Sequence, residues 1–356
     1  MPAQKDAVPP DPPIVTVVQT ESAVEFLDTL HSVSLKEGEG RFPGCRMRLC
    51  YRGVASVSHQ LIPAALRVDK RSELERYAGG PAHHAIRQLV EDQPDLTDRD
   101  IEIRSQMHLE FGVLMEFCRF AHQIGLPLPS FNTALREVIR EPSAHLTHAK
   151  SYFRPPAPTD WPMDELIDGL ALAQHYALPT RLLDWTRDPF IAAYFAASHS
   201  IRRGALSDGE VMEEEHLAVW SFQESFANDI DETNSPLLMP MPPYHGNPNL
   251  SAQRGLFTLW RPADQAQVLD RNPLTDLVAG WLNTHKQKDQ YHDIFTRVEL
   301  PAIKAPHLLR LLMNRGYDAA RLFPGYRGAA RAVKEQAMVA RAEAISTRPG
   351  NGERSV

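Results

Sequence analysis

The first apolar rhythm along the chain falls at Val24, Phe26, Leu27 and Leu30, which recur at helical spacing and predict a helix over Ser22 to Ser32. From Arg46 to Arg52 the period shortens to two. Met47, Leu49 and Tyr51 alternate with Arg46, Arg48 and Arg52, the pattern of a half-buried strand. Between about residues 70 and 150 the rhythm is helical again, with Met107, Phe111, Leu114, Met115, Phe117 and Cys118 on one stripe and Leu135 to Ile139 opening another. This stretch reads as a helical insertion. Strand-like runs return at Leu217 to Phe222, Gly255 to Trp260 and Ile294 to Leu300. A helix from about Pro306 to Asn314, followed by Gly316, and another from about Tyr326 to Ala344 close the chain. Strands divided by a block of helices predict an α+β fold: a small mixed or antiparallel sheet with a helical insertion and C-terminal helices. Residues 1–18 and 346–356 lack periodicity and read as disordered tails around a single domain over 19–345.

The densest polar cluster inside an apolar stretch lies at residues 174–196, QHYALPTRLLDWTRDPFIAAYFA. Pro179 stops the helix arriving from Leu166 to Tyr176, and Thr180 to Thr186 crosses as an extended segment. Asp188 then reads as an N-cap and Pro189 as the first helical residue. Phe190 to Ala196 leave that helix no polar face, so it must be buried. A buried helix start collects free N–H groups and the positive end of the helix dipole, and His175, Thr180, Arg181 and Arg187 lie near it in sequence. Two readings stand side by side: an anion-binding site, or a structural core in which Asp184 pairs with Arg181 or Arg187, Trp185 is buried and Asp188 only caps.

Composition narrows the function classes. The chain has 356 residues, 43% of them apolar, enough for a sizeable core. A net charge of −7 argues against indiscriminate nucleic-acid binding, while arginine-rich cations allow a local basic cleft. No apolar run approaches membrane-spanning length and the Pro- and Asp-bearing start lacks a signal core, so a cytoplasmic protein without a membrane partner is expected. Cys45, Cys50 and Cys118 form no CxxC pair and read as reduced thiols. His83 with His84 and His145 with His148 sit in no metal-binding frame, so no metal ligand is assigned. A Walker loop, a GxGxxG after a strand, a GxSxG elbow and a deaminase signature are all missing from the sequence.

The block Gln174-His175-Tyr176, Leu178-Pro179-Thr180-Arg181-Leu182-Leu183-Asp184-Trp185-Thr186, Pro189 and Ala193-Tyr194-Phe195-Ala196 resembles the signature of the FRG-domain family, which is found largely in bacterial proteins. Tyr51-Arg52-Gly53 stands where that family has Phe-Arg-Gly. Glu110 with Phe117, Gln253-Arg254-Gly255-Leu256-Phe257 and Leu322-Phe323-Pro324 extend the likeness over roughly residues 40–335.

An aromatic-Arg-Gly strand, a polar turn into an Ala-x-Tyr-Phe-Ala helix and a late strand carrying a polar residue are in turn similar to the layout of ADP-ribosyltransferases. That likeness implies NAD as a substrate rather than a tightly bound cofactor. Arg52 would contact its phosphates or ribose, Thr180 to Thr186 would line the pocket, and Gln253 would take the late-strand position. Arg181 would help anchor the ligand, with Tyr51, Gly53, Tyr176, Trp185 and Tyr194 also binding it. Gln253 cannot act as a general base, which leaves Asp184 or Glu299 to supply a carboxylate. A second reading makes His175 and Asp184 the centre of a phosphodiesterase or nuclease, and a third makes the domain a non-catalytic ligand-sensing or protein-interaction module. In the third, the helix bearing Arg327, Arg331, Lys334 and Arg341 is either a docking face or a solvated surface.

Overall fold

The computed structural model describes residues 14–36, 48–77, 95–140, 161–206, 215–229, 236–242, 247–261, 268–285 and 293–346. In chain order they form β1 (Val15–Gln19), α1 (Ala23–Ser34), β2 (Leu49–Val54), α2 (Val68–Tyr77), α3 (Asp98–Gln123) and α4 (Thr133–Arg140). There follow α5 (Asp164–His175), β3 (Leu183–Thr186), α6 (Pro189–Leu206), β4 (His216–Gln223), β5 (Leu237–Leu238) and β6 (Gly255–Trp260). The last elements are α7 (Leu274–Thr284), β7 (Phe295–Pro301), α8 (Ala305–Asn314) and α9 (Tyr326–Ser346). The class is α+β, as the strand and helix periods predict. The chain divides into two compact units, one built from residues 1–60, 186–229 and 273–356 and the other from 61–185 and 230–272.

In the first unit the sheet runs β1-β7-β4-β2, with β1 parallel to β7 and the other neighbours antiparallel. Thr186, the last residue of β3, pairs with Tyr51 at the β2 edge. Leu49, Tyr51, Leu217, Val219, Val298 and Leu300 point to one face, where α1, α6 and α8 bury them. The short alanines of α6 let that helix come down onto β2. A Cβ at Gly53 would lie 1.9 Å from the Ala192 carbonyl oxygen and 2.8 Å from the Ala196 nitrogen, so only glycine fits beneath the helix. Asp188 caps α6 as predicted, its Oδ1 accepting from the Phe190 N–H at 2.9 Å.

Two expectations shift here. Val15–Gln19, most of it within the stretch read as a tail, is an edge strand held by pairing with β7, and only its first and fourth residues are partly covered. Such a strand carries little apolar rhythm of its own, and the prolines before it dominate a reading by composition. The β2 alternation is also incomplete. Cys50 is as buried as Leu49 and Tyr51, because a second layer covers part of the other face: the Phe222 and Phe295 rings lie 5.1 Å apart there, tilted by 31°, and Phe226 meets Trp281 of α7 at 6.1 Å. Arg46 and Met47 lie outside the described residues, as does Cys45.

The second unit is organised around α3. A capping box between Thr97 and Asp100 starts this helix, and Ile103, Met107, Phe111, Leu114, Met115 and Cys118 form its buried stripe against α4, α5 and β6. Phe117 packs at the margin of that stripe. Burial pushes the Cys118 thiol up to about 12, which leaves it unreactive at neutral pH. The strands of this unit run β3-β6-β5. No helix among the described residues is long and apolar enough to cross a membrane.

The Gly53 contact sets a stability prediction. Gly53→Ala forces β2 and α6 apart and is expected to cost more than ~3 kcal/mol, the upper end of ordinary overpacking. Urea unfolding measures it; a loss under ~1 kcal/mol would mean that the two backbones are not in contact.

Candidate functional site

The signature block of the second unit is tied to a buried carboxylate. Glu110, on the inner face of α3, accepts from Arg181 Nε at 2.6 Å, from Trp161 Nε1 at 3.1 Å and from Gln106 Nε2 at 2.7 Å. Gln106 also donates to the Ala65 carbonyl at 2.8 Å, and the Ala65 N–H donates to the Thr180 carbonyl at 3.0 Å. Arg181 and Glu110 are each 3% exposed through their side chains, so the pair is out of water, with three side-chain donors on the carboxylate. One Arg181 atom, Nη2, is buried without an acceptor among the described residues.

A second chain of bonds carries the block outward. The Leu182 N–H donates to Thr180 Oγ1, whose hydroxyl donates to Gln174 Oε1 at 2.7 Å, and Gln174 Nε2 donates to Asp184 Oδ1 at 2.9 Å. Thr180 is thereby a buried strut, while Asp184 is exposed. Trp185 turns inward and donates to Thr258 Oγ1 at 2.9 Å. His175 ends α5 beside Tyr176, ring to ring at 5.2 Å, and burial lowers its pKa; Tyr176 is 58% exposed. Gln253 sits in the turn before β6 rather than in the strand, as the C-cap of a short helix over Pro248–Ala252, its N–H bonded to the Asn249 carbonyl.

In the first unit, cross-strand register builds a row of side chains on the face opposite α6. Arg52 stands across from Trp220, and Trp220 across from Arg297, each directly opposite residue sharing a face. The Arg297 guanidinium lies over the Trp220 ring at 5.1 Å and donates through Nε to Glu299 at 2.6 Å. Glu299 occupies the adjacent row, opposite Ala218, which itself faces Val54. The Trp220 indole N–H is buried without an acceptor among the described residues. Arg52 is half-buried on this face, and Tyr51 and Gly53 turn toward α6.

At the start of α6 the Arg315 guanidinium lies 6.0 Å from the Phe190 ring centre. Arg187 pairs with Glu224 at 2.5 Å, and Asp188 already supplies a carboxylate to the helix N-terminus, its Oδ2 also accepting from the Tyr317 hydroxyl at 3.2 Å. Thr186 Oγ1 accepts from the Asp188 N–H. Tyr194 is fully buried and donates to Glu335 of α9 at 2.7 Å. Among the described residues no group of three His, Cys, Asp or Glu side chains is placed to hold a metal ion. His83, His84, His145 and His148 lie outside those residues.

Residues 47–204 match the family model described as the FRG domain. Over that segment the chain is similar to the FRG domain. The matched FRG segment spans β2 with its Tyr51-Arg52-Gly53 triplet, the α3 helix with Glu110 and the block from Gln174 to Ala196; Gln253, Trp220, Arg297 and Glu299 lie beyond it. No curated protein and no solved structure matches the chain. The FRG motif residues therefore divide by task. Gly53, Glu110, Thr180, Arg181, Asp188 and Tyr194 make internal contacts that hold the fold, whereas Arg52 and Asp184 extend to more open positions. Trp220 and Arg297 carry no sequence signal as a pair, because only the strand register brings them beside Arg52.

Two measurements test these assignments. Glu110→Ala leaves a buried guanidinium unpaired and is expected to cost about 3–5 kcal/mol, whereas pairing Glu110→Leu with Arg181→Met should cost less than Glu110→Ala alone. Denaturation curves that rank the double variant lowest would remove the buried pair from its organising role. For His175, the lowered pKa favours the neutral ring in the folded state, so its contribution is present above the ordinary value of 6.5 and is lost as pH falls below it. His175→Gln should reduce the drop in urea midpoint across that range; an unchanged drop would show the ring to be solvated.

Proposed function

We propose that the Arg52 face of the first unit binds a nucleotide, with NAD as the substrate favoured by the likeness to ADP-ribosyltransferases. The observation that carries this reading is the row Arg52–Trp220–Arg297 with Glu299 beside it. Two guanidiniums on strands separated by one neighbour stand roughly 10 Å apart at their backbones, close enough for long side chains to converge on one diphosphate. Trp220 supports Arg297 from below through its ring. Glu299, rather than Gln253, supplies the carboxylate of this face, in a position to stabilise positive charge developing on the ribose as the glycosidic bond breaks. Arg297 holds that carboxylate in place through its Nε–H. Asp184, Gln253 and His175 belong to the second unit and enter the same assay as separate variants.

Equilibrium binding of labelled NAD, followed by a search for released nicotinamide, tests the reading. Arg52→Ala and Arg297→Ala should each weaken binding by roughly 10–100-fold, the loss of a hydrogen bond to a charged group. Glu299→Gln should retain binding and abolish nicotinamide release. Wild-type protein that fails to bind NAD while cleaving short DNA or RNA in a His175-dependent manner would replace this proposal with the phosphodiesterase reading. Saturable binding without turnover would reduce it to ligand sensing.

A further inference from the structure

On the helix-covered side of the same unit, α6 and α9 meet around one buried carboxylate. Glu335 is 4% exposed through its side chain; it accepts the Tyr194 hydroxyl on Oε2 at 2.7 Å and Arg331 Nε on Oε1 at 2.9 Å. Arg202 Nη2 lies 3.6 Å from the same Oε1. Arg202 is fixed on α6 by bonds from Nε to the Ser198 carbonyl at 3.0 Å and from Nη2 to Ser198 Oγ at 3.1 Å. Arg331 is fixed on α9 with its guanidinium 4.1 Å from the Phe323 ring centre. Two cations thus share one carboxylate, and Tyr194, whose pKa is raised chiefly by burial, stays a neutral phenol. Among the described residues, Glu335 is the one carboxylate paired with these two cations.

A second observation points the same way. Arg331 Nη2 is buried and has no acceptor among the described residues. A water molecule would satisfy that N–H but not the charge; an anion satisfies both. The Arg202 pKa is lowered, first by burial and then by the Arg331 charge, so the two guanidiniums repel one another where they stand. Their side chains are 37% and 24% exposed, which leaves the cluster open to solvent on one side.

We infer that Arg202 and Arg331 form an oxyanion site that takes a phosphoryl or carboxylate group and clasps α9 to α6. The site is separate from the Arg52 row, since α6 covers the Tyr51 face of the sheet and Arg52 projects from the other. One anion between guanidiniums on two helices links them, so its occupancy stabilises the packing of α9. The ligand class follows from the planar fork of arginine, which matches the spacing of phosphate and carboxylate oxygens.

The test titrates the full chain, in an Arg52→Ala background, with inorganic phosphate and separately with acetate, each against sodium chloride of equal ionic strength. Guanidinium Nε–H resonances of Arg202 and Arg331 report the locality of binding, and thermal melting reports its effect. Saturable shifts at both arginines with a rise in Tm are expected for at least one of the two probes, and the stronger probe names the ligand source. Arg331→Gln and Arg202→Gln should each weaken binding at least tenfold. Glu335→Gln removes the competing carboxylate and should tighten binding severalfold, a sign that general destabilisation would not produce. If Glu335→Gln does not fold, Arg202→Gln decides, since its side chain is the most exposed of the cluster. Shifts no larger than those in chloride, or binding unchanged in both arginine variants, would overturn the site. Because the Arg52 row is disabled throughout, neither result bears on the nucleotide proposal.

Discussion

The backbone of β2 lies against α6 at Gly53 with no room for a single methyl group between them, and much of the first unit follows from that contact. It fixes which face of the sheet the buried helix covers. Tyr51 and Leu49 then belong to the core, and Arg52 must project from the other side. The small side chains of the Ala-rich helix and the glycine of the triplet are two halves of one steric requirement. Read this way, the aromatic-Arg-Gly triplet encodes a core residue, a face-switched cation and a clearance.

The second unit answers a different constraint. Burying Arg181 requires a carboxylate in the right place and further donors to complete it, and Glu110 meets that requirement with Trp161 and Gln106. The motif that looked richest in chemistry is therefore in large part architecture: Thr180 and Gln174 relay hydrogen bonds, Arg181 neutralises Glu110, and Asp184 stays at the surface. Density of polar residues in an apolar stretch signals either a site or a satisfied network, and sequence spacing alone does not separate them.

What was legible in the sequence follows the strength of local signals. The helix over Ala23–Ser34, the Asp188 cap, β6 and the closing helices were readable because period, caps and prolines agree there. The β1 edge strand, the α7 helix and the second burial layer over Cys50 were not, because each depends on partners distant in the chain. The same reason hides the Arg52–Trp220–Arg297 row: three residues at 52, 220 and 297 acquire a relation only through strand register. Arg331, grouped on sequence with the exposed cations of the last helix, turns inward to Glu335, a partner in its own helix at i+4 whose burial no pattern discloses.

The central claim is that Arg52, Trp220 and Arg297 meet one ligand on one face. Its most direct test is a titration of the folded chain with NAD, following the indole N–H resonance of Trp220, assigned by its loss in Trp220→Phe. The account predicts a saturable shift of that resonance together with the Nε–H signals of Arg52 and Arg297, while the Trp161 indole, bonded to Glu110, stays where it is. A Trp220 signal unmoved at saturating NAD, or moved equally in Arg52→Ala, would contradict it.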